Sequence, residues 1–202
     1  MNDLVILLDN GHGKNTPGKR SPKWSDLPQI FEWEYNRFLV NKIHCELINL
    51  GFKSIIVVPE DIDISLSERV KRIREYERQF GKKNCLTLSI HLNASDTNPN
   101  ARGWEAHTYL GHSISDLYAK EFYKQAKKYL GDDTRIRLGG NEKDPDWDSN
   151  FAILRGPTGP AILTENCFMT NYEDCKYLLS EEGKRDLVNL HINAILEIDK
   201  LT

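Results

Sequence analysis

Residues 4–13 read Leu4-Val-Ile-Leu-Leu-Asp-Asn-Gly-His-Gly13, an apolar run that ends in a polar turn between two glycines. Such a run suits a β-strand that is buried on both faces of a parallel sheet. Similar runs at 54–58, 85–91 and 161–166 alternate with segments of helical periodicity. This alternation predicts an α/β fold: a single domain with a twisted, mostly parallel mixed sheet flanked by helices on both faces.

The remaining elements follow from periodicity and from start and stop signals. Apolar residues at helical spacing predict helices over 31–50, 65–80, 113–130, 173–179 and 182–201. Shorter apolar runs predict two further strands, over 103–110 and 151–154, on either side of a polar loop at 132–150.

Composition limits the class of protein. The chain has 202 residues, of which 39% are hydrophobic and 28% charged, and this is typical of one globular domain. The net charge of -3 lacks the basic excess of duplex nucleic-acid binders. No apolar run is long enough for a bilayer span or a secretory signal. We therefore expect a monomer made in the cytoplasm without a signal peptide, with neither nucleic acid nor membrane as partner, and with its four cysteines as thiols.

Four ligand-capable residues fall where strands end or where the first helix begins. His12 follows the first strand, His91 and Glu165 end later strands, and Glu32 begins the first helix. Ligands of open α/β sheets bind at the carboxyl edge of the parallel strands, so these side chains are expected to converge. Two imidazoles and one carboxylate form a common catalytic zinc set, and a further carboxylate can serve as general base. Spacing alone does not make this assignment specific.

The order of the motifs makes the chain resemble the zinc-dependent N-acetylmuramoyl-L-alanine amidases, a family of bacterial cell-separation amidases and phage endolysins. Five sequence patterns of the family have counterparts over essentially the whole chain. They are Asp-Pro-Gly-His-Gly, a Glu and an Asn at the start of a helix, Ser-x-His-x-Asn-Ala, Pro-Ala-x-Leu-x-Glu-x-x-Phe and Leu-Ser-x-Arg. The counterparts are Asp9–Gly13, Glu32–Asn36, Ser89–Ala94, Pro160–Phe168 and Leu66–Arg69. Asn10 and Lys14 depart from the family pattern, and both lie in the loop beside His12.

The resemblance implies a role for each of these residues. One Zn²⁺ would be bound by His12, Glu32 and His91, and Glu165 would be the catalytic carboxylate. Arg155, just before the last strand, resembles an arginine that members of the family carry at this place. We assign Arg155 a role in substrate binding or oxyanion stabilisation. The competing ligand is Glu34, and the interval to Asn36 favours Glu32 over it.

Further binding residues are expected among polar and aromatic side chains. Asn93 lies within the matched Ser-x-His-x-Asn-Ala motif, and Trp24 and Trp147 stand in polar loops where their rings can stack on sugar or peptide. Cys167 is expected on the same side of its strand as Glu165, but no imidazole motif supports it as a nucleophile.

The implied function is zinc-dependent hydrolysis of the amide between the lactyl group of N-acetylmuramic acid and the L-alanine of the stem peptide. The partner is peptidoglycan, and the enzyme would reach the wall after phage-type release or after loss of a leader. Residues 1–202 are expected to form one catalytic domain without a separate wall-binding domain. The alternatives are an inactive peptidoglycan-binding module and a zinc peptidase that cuts within the stem peptide.

Overall fold

A computed structural model describes residues 4–131 and 135–202. Its sheet has six strands, in the order β2-β1-β3-β6-β4-β5. Their bounds are Val5–Asn10 (β1), Lys53–Ile56 (β2), Cys85–Asn93 (β3), Glu105–Thr108 (β4), Trp147–Asp148 (β5) and Ala161–Phe168 (β6). The strands β2, β1, β3 and β6 run parallel, β4 pairs antiparallel to β6, and β5 runs parallel to β4. The predicted α/β class with a mostly parallel mixed sheet is confirmed.

Helices cover both faces of this sheet. They are Glu32–Asn49 (α1), Leu66–Phe80 (α2), Ile114–Leu130 (α3), Ala152–Arg155 (α4), Tyr172–Leu179 (α5) and Glu181–Asp199 (α6), with a 3₁₀ turn at Lys82–Asn84. The larger core packs α1, α3, α5 and α6 on one face, around residues such as Leu39, Phe122 and Leu190. The smaller core packs α2 and α4 on the other face, around Ile73 and Ile153.

Helix termini are placed by local hydrogen bonds. The side chain of Ser65 accepts from the amide of Glu68 and begins α2, as the capping pattern predicts. In contrast, α1 begins without a side-chain cap, and the amide of Glu32 donates to the carbonyl of Lys19. Glu32 therefore lies in the first turn of α1, directly after the loop that connects β1 to this helix.

Two sequence-based expectations need correction. Residues 151–154 were expected to form a strand, but Ala152–Arg155 forms the short helix α4. Short apolar runs do not distinguish a strand from a buried helical turn, and here the run packs on α2. The polar loop at 132–150 contains the strand β5, although residues 132–134 of that loop lie outside the described residues.

The described part of the chain contains no helix that is long and apolar enough to cross a membrane. All four cysteines are free thiols. Cys45 is exposed, whereas the other three are buried.

Candidate active site

Three strands contribute a row of polar side chains at the carboxyl edge of the sheet. His91 on β3 is the register partner of Glu165 on β6, and Glu165 is also the register partner of Glu105 on β4. Residues in register on neighbouring strands share one face and lie within contact distance of each other. The structure therefore brings His91 and Glu165 together, as predicted, and adds Glu105 to the row.

The predicted metal ligands also meet in one cluster. Oε1 of Glu32 lies 3.0 Å from Nδ1 of His91 and 3.4 Å from Nε2 of His12. One ligand atom from each residue lies within 4.8 Å of the other two. Glu34, in contrast, is exposed on α1. The geometry thus favours Glu32 over Glu34.

The chemistry of this cluster suits a metal ion such as zinc. Glu32 is 1% exposed, and its Oε2 is buried with no hydrogen-bond partner among the described residues. A buried carboxylate oxygen without a partner is costly unless a cation or a donor meets it. Two imidazoles and one carboxylate are also the donor set that catalytic zinc sites use. The three residues therefore fit the predicted ion.

Two arginines hold the loop that carries His12. His12 has a φ of 65°, in the left-handed region that non-glycine residues rarely adopt. Its carbonyl accepts from Nη1 of Arg37 at 3.0 Å and from Nη2 of Arg69 at 3.2 Å. Arg69 also pairs with the buried carboxylate of Asp9 at 2.6 Å. The Leu-Ser-x-Arg motif thus stabilises the unusual backbone that presents His12.

Burial and charge shift the pKa values of the site residues. Burial of Glu32 opposes its ionisation, yet hydrogen bonds with His12 and His91 hold the pKa of Glu32 well below its usual range. Burial of His91 favours the neutral ring, but its hydrogen bond with Glu32 raises the pKa of His91 above the usual value. Burial raises the pKa of Glu165 to about 8, with His91 opposing the rise and the charge of Glu32 adding to it. Glu165 is therefore placed to exchange a proton near neutral pH.

A cavity of about 270 Å³ opens beside the cluster, lined by His12, His91, Arg69 and Ile153 among others. It connects the metal-ligand candidates with solvent on the α2 side of the sheet. A small part of a larger substrate can enter a space of this size.

The other predicted binding residues lie in separate settings. Arg155 is exposed on α4 and donates to the side chain and carbonyl of Asn150. Trp24 is half-buried, with its ring 5.8 Å from that of Tyr172. Trp147 belongs to β5, and its ring lies 6.4 Å from that of His107. These contacts do not include the metal-ligand cluster, and the substrate roles of Arg155, Trp24 and Trp147 stay predictions.

The strand β6 is irregular beyond Glu165. The register of β3 and β6 shifts between His91 and Asn93, and Cys167 has a φ of 70°. This bulge breaks the alternation that was expected to place Cys167 beside Glu165, and Cys167 packs instead in the larger core. Burial raises the pKa of the Cys167 thiol well above its usual value. Both findings agree with the prediction that Cys167 is not a nucleophile.

Glu105 is the site residue that sequence reasoning missed. It is 6% exposed and lies between two residues of the larger core, Trp104 and Ala106, on a four-residue strand. The sequence offers one signal for Glu105, a carboxylate within a strand whose other residues are buried. Charged residues are rarely buried without a partner, so such a carboxylate indicates a partner or a function. Its place beside Glu165 depends on the register of β4 and β6, which the sequence does not reveal.

The fold and the site together define a class of protein, a single-domain α/β protein with a candidate metal centre at the carboxyl edge of its sheet. Within this class, the chain belongs to the N-acetylmuramoyl-L-alanine amidase family, whose model matches residues 6–197. The family predicted from the motifs is thereby confirmed.

Individual relatives agree with this assignment. The chain is 25% identical to the endolysin of Bacillus phage SPP1 over 201 residues, which cover 96% of this chain and 65% of that protein. It is 26% identical to the N-acetylmuramoyl-L-alanine amidase AmiC of Neisseria meningitidis serogroup B over 217 residues, with 90% and 49% covered. The chain thus spans one half to two thirds of these relatives. The expectation that no wall-binding domain accompanies it stays a prediction.

Solved structures show the same fold. An N-acetylmuramoyl-L-alanine amidase from Clostridium difficile 630 has a TM-score of 0.82 at 23% identity, with 98% of this chain and 97% of that chain covered. The catalytic domain of CwlV from Bacillus (Paenibacillus) polymyxa has a TM-score of 0.77 at 22% identity, with 98% and 99% covered.

Proposed function

We propose that this protein hydrolyses the amide bond between the lactyl group of N-acetylmuramic acid and the L-alanine of the stem peptide in peptidoglycan. The observation that carries the proposal is the convergence of His12, Glu32 and His91 within 4.8 Å, with Glu165 in register beside His91. This arrangement provides a metal-ligand set and an adjacent carboxylate, which metal-assisted hydrolysis of an amide requires. Membership of the amidase family supports the choice of bond.

In this proposal His12, Glu32 and His91 hold one zinc ion. When bound, zinc supplies Lewis-acid chemistry that polarises the scissile carbonyl and acidifies water. Glu165 accepts the proton of the attacking water and later transfers it to the nitrogen of the leaving alanine. Burial raises the pKa of Glu165 above that of an exposed carboxylate, which favours its holding the proton until the leaving nitrogen takes it up. The products are a glycan with a free lactyl carboxylate and a stem peptide with a free amino terminus.

The site of action is proposed to be the bacterial cell wall. The similarity to a phage endolysin and to the bacterial amidase AmiC supports a role in wall lysis or remodelling. The route by which the protein reaches the wall, and its monomeric state, stay predictions.

The substitution Glu165→Gln tests the proposal. Because the amide of glutamine cannot carry the proton, turnover on purified sacculi should fall by about 10²-fold or more, whereas zinc content should stay at one ion per chain. The matched control is Glu34→Gln on the exposed side of α1, which should retain both activity and zinc. Near wild-type turnover by Glu165→Gln would overturn the assignment of Glu165.

Mass spectrometry of the products separates the alternatives. Peptides that begin with L-alanine, together with peptide-free glycan, support the amidase. Cuts at internal peptide bonds would instead identify a stem-peptide peptidase. A zinc-loaded wild-type protein that binds sacculi without releasing either product would be a binding module.

A further inference from the structure

The row of polar side chains that includes His91 and Glu165 continues into an ion pair outside the proposed machinery. Glu105 is the register partner of Glu165, and its Oε2 accepts from Nε of Arg137 at 2.7 Å. Arg137 is therefore linked to the proton-transfer residue through Glu105, and β4, which carries Glu105, lies on the side of β6 opposite to β3 and His91.

Arg137 is held in place from three directions. Its amide donates to the carbonyl of Trp104 at 2.8 Å, which fixes its backbone beside β4. Its guanidinium lies 5.1 Å from the centroid of the Phe168 ring, over which it stacks. Glu105 fixes Nε. A side chain held in this way loses little conformational entropy when a ligand binds. Ordering the arginine therefore subtracts little from the free energy of binding.

The same side chain remains accessible. The side chain of Arg137 is 39% exposed, while that of Glu105 is 8% exposed. Of the three guanidinium nitrogens of Arg137, Nε is the one that makes a hydrogen bond with another described residue. The edge formed by the two Nη groups is the part of an arginine that pairs with a carboxylate through two parallel hydrogen bonds.

Glu105 itself is fully engaged. Its Oε1 accepts from Nδ2 of Asn93 and lies 3.5 Å from Nε2 of His107, while its Oε2 accepts from Arg137. With both oxygens occupied and little exposure, Glu105 is suited to positioning Asn93 and Arg137 rather than to contacting a substrate. Burial alone would raise the pKa of Glu105, but the contacts with His107 and Arg137 outweigh it and keep that pKa below its usual value.

We propose that Arg137, positioned by Glu105, binds a carboxylate of the stem peptide while the bond beside Glu165 is cleaved. The inference rests on the proposed amidase function and deepens it, because it names the chemical group of the substrate that the enzyme recognises. A fixed, partly exposed guanidinium that pairs with the register neighbour of Glu165 selects an anionic group. A sugar hydroxyl or a carboxamide offers it no charge to pair with.

The test uses two muramyl tripeptides that differ in one group, the α-carboxyl of the glutamate that follows L-alanine, either free or as the carboxamide. Arg137→Gln should lower kcat/KM by about tenfold on the carboxylate substrate, the effect of one charge-assisted contact at a partly exposed site. The loss should appear in KM, and kcat/KM on the carboxamide should change less than twofold. Glu105→Gln, which removes the charge that pairs with Arg137, should shift the preference in the same direction.

The matched control is Arg135→Gln, two residues earlier in the same segment. Arg135 stacks on Tyr177 at 4.7 Å and does not pair with Glu105, so this variant changes the same charge without touching the site. It should leave the preference for the carboxylate substrate unchanged. Equal losses on both substrates for Arg137→Gln, or the same shift in Arg135→Gln, would overturn the proposal.

A binding measurement separates this inference from the proposed activity. Calorimetry with Glu165→Gln protein should show tighter binding of the carboxylate tripeptide, and the double variant Glu165→Gln with Arg137→Gln should lose that difference. Loss of the difference together with no turnover by the wild-type protein would support the carboxylate site and refute the amidase activity. Equal affinity for both tripeptides in the Glu165→Gln protein would refute the carboxylate site alone.

Discussion

The substitution Gly11→Ala should displace a proposed metal ligand without altering any ligand chemically. A Cβ at position 11 would lie 2.1 Å from Cε1 and 2.3 Å from Nε2 of His91. Carbon atoms in contact lie about 3.5–4.0 Å apart, so the ring must retreat by about 1.4 Å or more. The backbone of Gly11 cannot yield easily, because its amide donates to Ile90 and its carbonyl accepts from Asn36, each at 3.1 Å.

This displacement is large on the scale of metal coordination. The distance between a metal ion and a ligand atom varies by only roughly 0.2 Å among functional sites. Substitution of residues that merely support the ligands already lowers metal affinity by about 10–100-fold. We expect zinc affinity, measured by competition with a chromogenic chelator, to fall by about 100-fold, and turnover to fall with it. Overpacking of this kind costs about 1–3 kcal/mol in the free energy of unfolding, so the metal-free protein should still fold.

The control for Gly11→Ala is Gly18→Ala in the same loop. A Cβ at position 18 meets no atom within 4 Å, although the φ of 76° imposes some backbone strain. This variant should lose about 1 kcal/mol of stability and keep wild-type zinc affinity. If Gly11→Ala bound zinc as tightly as the wild-type protein, the close approach of Gly11 to the His91 ring would not govern the site.

Three further predictions concern other parts of the molecule. Burial lowers the pKa of His191 to about 4, so as the pH falls from 6.5 to 4 the imidazole is protonated in the unfolded chain but not in the folded one. The free energy of unfolding should therefore decrease across that window by up to about 3 kcal/mol. In urea-unfolding experiments, His191→Gln should make the free energy of unfolding less dependent on pH there. Iodoacetamide should alkylate Cys45 alone in the native protein at pH 8, as counted by mass spectrometry; modification of a buried thiol before unfolding would contradict the described burial. Arg69→Met should leave the carboxylate of Asp9 buried without its ion pair and cost about 3–5 kcal/mol by urea unfolding, whereas a cost below 1 kcal/mol would show that the pair is dispensable.

The sequence predicts most of the site because its residues lie at ends of elements. A strand that ends at residue 10 and a helix that begins near residue 32 fix where His12 and Glu32 stand, whatever the detailed packing. The same reasoning places His91 and Glu165 at one edge of a parallel sheet. These positions depend only on the order of elements, which hydrophobic periodicity reveals.

What the sequence does not predict depends on register and on local irregularity. Glu105 enters the site because β4 pairs antiparallel to β6 with Glu105 opposite Glu165, and no local pattern encodes that pairing. The bulge that turns Cys167 toward the larger core interrupts an apolar segment that alternation treats as regular. The four apolar residues 151–154 carry too little periodicity to distinguish a strand from the helix α4.

The order of the strands has a consequence for biosynthesis. β6 follows the other five strands in sequence, yet it lies between β3 and β4 near the middle of the sheet. A nascent chain has therefore made all three proposed metal ligands well before Glu165 leaves the ribosome, roughly 4–15 s later at 5–20 residues per second. Until then β4 and β5 have no strand to join them to the rest of the sheet. The candidate site should thus be complete only after β6 has been synthesised, so that a ribosome stalled before residue 160 holds a fragment without Glu165 and without the strand that joins β3 to β4.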